Sequence, residues 1–178
     1  MLLRTYAVRM GPNDALSPRT RLADGLLAGA EFTHAHWFFG NLYEALVKIP
    51  HRVASAEPTS ELPRSPLGAG SPGRYYVPLA PLNLPMAAAS LLAGWKQADR
   101  RSWLILATAS SAAGAGATAY LLRSVNPKLF FGPRPLGEAE REPLLRRWYR
   151  LHAVRIATSA ISLFAIDRAR NLGGRRSA

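Results

Sequence analysis

Residues 75–95, YYVPLAPLNLPMAAASLLAGW, and residues 102–122, SWLILATASSAAGAGATAYLL, contain no formally charged side chain, in a chain that carries 23 Lys and Arg and 11 Asp and Glu. Each run is close to the ~20 residues with which a helix crosses ~30 Å of hydrocarbon. A short basic stretch, Lys96, Arg100 and Arg101, separates them, so the pair predicts a membrane-embedded helical hairpin. The mean hydropathy of −0.03 conceals this, because an average does not record where the apolar residues fall.

Outward from the hairpin, helix two is expected over about 77–96 and helix three over about 102–123. Tyr75, Tyr76 and Trp95 suit the two interfaces of the first span, and Trp103 and Tyr120 those of the second. Pro78, Pro81 and Pro85 predict that helix two is kinked or starts late, its regular part beginning near Leu84. Helix three is rich in small residues, Ala107, Ser110, Ser111, Gly114, Gly116 and Thr118. They allow another helix to approach closely and offer a face for pairing with a second copy. Helix one is expected over about 24–49, stopped by Pro50, and helix four over about 144–169. Between them lie a Pro, Ser and Gly-rich loop at 51–74 and a second loop with Asn126-Pro127 and Gly132-Pro133-Arg134-Pro135. A short amphipathic segment is expected around 138–142. The expected fold is therefore all-α, an integral membrane four-helix bundle over residues 24–170, with a polar extension at 1–23 and a basic tail at 171–178.

The net charge of +12 is carried mostly by arginine, with only three lysines, Lys48, Lys96 and Lys128. These residues flank apolar runs, where they can meet lipid phosphates, instead of forming a basic stripe with interleaved aromatics, so a lipid bilayer is the expected partner and nucleic acid is not. Residues 1–21 lack the apolar core of a signal peptide. The basic turn and the arginines near both ends predict that both termini face the cytoplasm, most simply at a bacterial cytoplasmic membrane. Cysteine is absent, which removes disulfides, thiolate nucleophiles and cysteine metal sites.

Helix one is unusually polar for a span. Glu31, His34, Trp37 or Phe38, Asn41, Glu44 and Lys48 recur at steps of three and four and share one face. Helix four repeats the pattern with Trp148, His152, Arg155, Ser159 and Ser162. Ionisable groups inside a span face a protein interior or a wet cavity, so the stripes are expected to face each other. Antiparallel register, with Lys48 near Arg147, sets His152 opposite Tyr43 and Glu44, Arg155 opposite Gly40 and Asn41, and Ser162 level with His34. Glu44 and Arg155 are then candidates for an ion pair. Glu31 and His34 have the Glu-x-x-His spacing of carboxylate-bridged metal sites. However, His152 falls roughly 13 Å along the bundle from His34, and neither a metal nor another cofactor is expected. His152 beside Glu44 and Arg155 suits proton abstraction from an acidic carbon or phenol.

At His36-Trp-Phe-Phe-Gly-Asn-Leu-Tyr-Glu44, Ser71-Pro-Gly-Arg-Tyr-Tyr76, Asn126-Pro-Lys-Leu-Phe-Phe-Gly132 and Trp148-Tyr-Arg-Leu-His-Ala-Val-Arg155 the chain resembles the anthrone oxygenase-like family of small four-helix membrane proteins. The resemblance covers roughly residues 25 to 170. It implies oxygen insertion into an anthrone without metal or flavin, the substrate anion itself reacting with dioxygen. It further implies His152 as base or phenolate partner, Arg155 as enolate stabiliser, and Asn41 and Trp148 as positioning groups for an aromatic substrate. Taken with the stripes, the expected catalytic residues are His152, Arg155 and Glu44. The expected binding residues for a lipophilic aromatic or quinone-like molecule are Asn41, Trp37, Trp148, His34 and Glu31. Three alternatives stay open at this point: an acid–base cyclase or isomerase using Glu31 or Glu44 as the acid, a non-catalytic membrane scaffold or partner subunit, and a transporter.

Overall fold

Proline placement sets the pattern of helices. The computed structural model describes residues 18–50, 67–68, 71–132 and 136–174. Helix α1, Pro18–Leu46, opens on a proline, whose missing N–H has no partner to lose in a first turn. It stops three residues earlier than expected because Lys48 takes a left-handed backbone, φ 52°, before Pro50. A four-residue helix α2, Gly73–Tyr76, leads through a 3₁₀ turn at Ala80–Leu82 into α3, Asn83–Gly94, whose Pro85 still lies in the first turn.

The basic turn expected at 96–101 is shorter than the sequence suggested. Gln97 is extended, φ −92° and ψ 92°, and α4, Ala98–Tyr120, takes Arg100 and Arg101 into its first turn. A π-helical turn at Leu121–Val125 joins α4 to α5, Asn126–Phe130. The expected surface segment at 138–142 is instead the start of α6, Glu138–Gly174. The described residues are almost entirely helical, with no strand among them. Most of the polar extension, nearly all of the loop at 51–70 and half of the basic tail lie outside the described residues.

α6 packs on α4 and α1, and α3 packs on both of them, closing a ring of four. Arg100 reaches Asp24 at 3.3 Å, so α1 and α4 run in the same direction. α6 is antiparallel to both, because its C-terminal Ile166 packs with Leu104 while its N-terminal Trp148 meets Asn126. One apolar cluster joins Leu27, Ala30, Leu104, Ala107, Ala165, Ile166 and Ala169 at the end where α1 and α4 begin. A second joins Leu121, Val125, Leu129, Leu145 and Trp148 at the other end.

Between these clusters the interior is polar. Thr33, His34, Asn41, Glu44, Ser111, His152, Arg155, Ser159 and Ser162 are all buried. The outside carries Phe32, Phe39, Tyr43 and Leu46 on α1, Ile105 and Leu106 on α4, and Val154, Ile161 and Phe164 on α6, all exposed. This inverts the usual preference for apolar residues inside. Among the described residues one continuous helical stretch, Ala98–Phe130, is long and apolar enough to cross a membrane, with a hydropathy of 1.3; Ala80–Gly94 is apolar but shorter.

Candidate functional site

The two polar stripes meet at mid-height. Asn41 and Glu44 on α1, and His152 and Arg155 on α6, are each three residues apart and so share a face. His152 is fully committed. Its Nε2 lies 2.8 Å from the Asn41 carbonyl oxygen and its Nδ1 lies 3.3 Å from Nη1 of Arg155. A carbonyl only accepts and a guanidinium only donates, so Nε2 carries the proton and Nδ1 accepts. The ring stacks on Trp148 with centroids 4.3 Å apart. The Trp148 indole N–H in turn donates to Asn126 Oδ1 at 3.2 Å.

Arg155 sits one turn away from its expected level. Its guanidinium lies over the Trp37 ring, 4.7 Å from the centroid, and 5.9 Å from that of Tyr76, an arrangement in which ring faces attract the cation. No direct ion pair with Glu44 forms; the two charges attract at longer range. The Glu44 carboxylate lies 3.9 Å from His152, Oε2 to Nδ1, facing a nitrogen that carries no proton, and the Tyr76 side chain lies close enough to interact with the carboxylate. Glu44 Oε2, Arg155 Nε and Asn41 Oδ1 are buried without a hydrogen-bond partner. Such atoms are costly to leave unmatched.

A cavity of about 770 Å³ lies against the Glu44 and Arg155 side chains. Glu44, Arg155, Trp37, Tyr76, Trp148 and His34 line its polar end, and it runs between the proline-broken segment 77–85 and the second half of α4. Its size and largely apolar wall suit a ligand of a few fused rings. Exposed Leu67, Val77 and Leu122 also line it, so its rim is apolar.

Compared with protein-family models, with curated proteins and with solved structures, the chain matches none.

The residues singled out from the sequence thus separate into groups. Glu44, Arg155, Trp37, Trp148 and His34 reach the cavity. His152 and Asn41 lie behind that wall: His152 holds Arg155, and the Asn41 side-chain amide donates to the Trp37 carbonyl at 2.6 Å. His34 is anchored by Nδ1 to the Ala30 carbonyl at 2.7 Å and by Nε2 to Ser111 Oγ at 2.6 Å. Ser111 and Ser162 lie 3.2 Å apart, which brings Ser162 to the level of His34. Glu31 points elsewhere and pairs with Arg170 near the end of α6. Lys48 is exposed in the turn after α1.

Two residues were not singled out from the sequence. Tyr76, read there as an interface aromatic, faces Glu44 and the cavity, and Asn126 orients Trp148. Their only sequence signal is that each belongs to a motif carrying the family resemblance. Among the described residues no three of His, Asp and Glu come close enough to share a metal ion.

Proposed function

We propose that this chain is an integral membrane protein of four spanning helices whose cavity takes a lipophilic aromatic or quinone-like substrate from the bilayer and oxidises it with dioxygen, as the anthrone oxygenase-like resemblance implies. One observation carries the reading: the cavity of about 770 Å³ is lined by the buried side chains of Glu44 and Arg155. An apolar exterior, the apolar rim at Val77 and Leu122 and the long apolar helix Ala98–Phe130 support the membrane setting. Both termini and the turn at 95–97 are proposed to face the cytoplasm. A cysteine at Gln97, in a chain with no other, is then labelled by an impermeant maleimide from the cytoplasmic face alone, and labelling from the opposite face reverses the orientation.

The chemistry converts a ring CH₂ and O₂ into a ring C=O and H₂O. Glu44 takes a proton from the acidic CH₂, and Arg155 stabilises the enolate oxygen as negative charge develops there. The carbanion reduces dioxygen, and carbon–oxygen bond formation with proton return gives a hydroperoxide. Loss of water then breaks the O–O bond and the second C–H bond to leave the ketone. Glu44, not His152, is the proton acceptor in this scheme, because both His152 nitrogens are engaged and only Glu44 borders the cavity. His152 instead orients Arg155.

The test is oxygen uptake by the full chain in nanodiscs supplied with 1,8-dihydroxyanthrone. Quinone formation in step with oxygen consumption, lowered about a hundredfold but still measurable in Glu44→Gln, is expected. Turnover without oxygen would favour the acid–base cyclase or isomerase, with Glu44 as the acid. A folded protein that neither binds nor converts the anthrone would replace both readings with the scaffold.

A further inference from the structure

The wall of the cavity opposite α6 includes a short segment that α1 could not supply by itself. Residues 71–77 lie across α1 and are fastened by a double contact at one position. Tyr75 stacks on His36 with ring centroids 4.1 Å apart and planes within 20°. His36 Nε2 lies 3.1 Å from the Tyr75 carbonyl oxygen, and the Tyr75 hydroxyl donates to the His36 carbonyl at 3.3 Å. Beneath the clasp is Gly40, where a Cβ would meet Tyr75 Cε1 at 2.5 Å and Tyr76 Cε1 at 2.8 Å. Only glycine lets both rings approach the helix.

The clasp determines where Tyr76 goes. Its ring meets Trp37 edge to face at 4.9 Å and flanks Arg155, and its hydroxyl, 3.1 Å from where a Gly40 Cβ would stand, lies one helical turn from Glu44, the one carboxylate among the described residues that borders the cavity. We infer that Tyr76 is a positioning residue that holds the Glu44 carboxylate in the cavity, delivered there by the His36–Tyr75 clasp on Gly40. The inference deepens the proposed function and, as far as turnover is concerned, rests on it. Without the Tyr76 hydroxyl, Glu44 keeps its place in the chain but not its orientation, so turnover falls while substrate binding, which depends on the apolar wall, does not.

A double-mutant cycle on the full chain in nanodiscs tests this, using Tyr76→Phe, Glu44→Gln and the combination, with oxygen uptake on 1,8-dihydroxyanthrone as one reading and thermal unfolding as the other. Loss of one hydrogen bond to a charged group predicts a fall in kcat of about tenfold for Tyr76→Phe, with KM unchanged within about twofold. In the combined variant kcat is expected no lower than in Glu44→Gln alone. Independent, multiplying losses in kcat, or a loss confined to KM, would overturn the assignment. If the wild-type chain shows no uptake, the proposed oxygenase fails, and the unfolding cycle then decides the assignment by itself. A combined shift in Tm smaller than the two single shifts together upholds a Tyr76 that acts through Glu44, and strictly additive shifts refute it.

Discussion

The two halves of the helix ring are built from the same helices and differ in what fills them. Where α1 and α4 begin, Leu27, Ala30, Leu104, Ala107, Ala165, Ile166 and Ala169 close on one another, with the Asp24–Arg100 and Glu31–Arg170 pairs nearby. Toward the other end the same α4 and α6 stand beside a cavity. The difference traces to the neighbour they lack. α3 is regular only from Asn83, and before it the chain passes through Pro78 and Pro81, where the 3₁₀ turn packs with α1 and α3. A helix broken by proline cannot complete the ring at that height, and the resulting void is the candidate site. Close packing at one end and an open cavity further along the ring thus trace to Pro78 and Pro81 in one segment.

The strongest test of this contrast is Arg155→Ala. In the open half stability hangs on a few buried polar groups, and removing the cation deprives His152 Nδ1 of its donor and Trp37 of its stacked charge, together about 3–5 kcal/mol. Turnover is expected to fall at least about a hundredfold through loss of the charge that stabilises the enolate. Oxygen uptake within tenfold of wild type would break the comparison. Next in size is Ile166→Ala in the closed half, at about 2–4 kcal/mol by unfolding and with kcat unchanged, whereas Leu84→Ala on the cavity wall costs less than about 1 kcal/mol because its side chain already borders a void.

A reciprocal pair sharpens the same point by adding volume. Ala119→Trp projects into the cavity and is expected to abolish anthrone binding, read by tryptophan quenching, with Tm nearly unchanged. Ala107→Trp, in a closed core that has no space, is expected to prevent folding. The smallest effect belongs to Glu31→Gln. Its partly exposed pair with Arg170 contributes less than about 1 kcal/mol, and turnover should not change. A loss of activity there would return Glu31 to the substrate site from which its position removes it.

How far the sequence could be read depended on how local each feature is. Steps of three and four residues were enough to put Glu44 on the same face as Asn41, and Arg155 on the same face as His152, because a helix fixes that geometry by itself. The all-helical class followed from the uncharged runs for the same reason. Register was legible to about one turn: Ser162 lies at His34 as counted, but Arg155 lies at Trp37 instead of Gly40, because aromatic faces and His152 hold the guanidinium there. The exclusion of His152 from the cavity was hidden, since it depends on a backbone carbonyl of another helix. Tyr76 was hidden more deeply, because its role arises only after a separate segment docks on Gly40. The cavity has no residue of its own, and no spacing rule reports a space.

The chain of His34, Ser111 and Ser162 bears on how wrong assemblies are rejected. It ties three helices at one level, with Ser162 also donating to the Ala107 carbonyl at 3.2 Å. Most of the residues around Ser111 are Ala or Gly, nearly interchangeable in volume, and packing alone would let α4 turn about its axis with little penalty. A turn of one residue brings Ala112 to His34 and strands a buried imidazole nitrogen, a fault that small side chains cannot repair. The hydroxyl of Ser111 therefore works as a key for a smooth helix, rejecting settings that would place Ala or Gly at His34 though they fit equally well by shape.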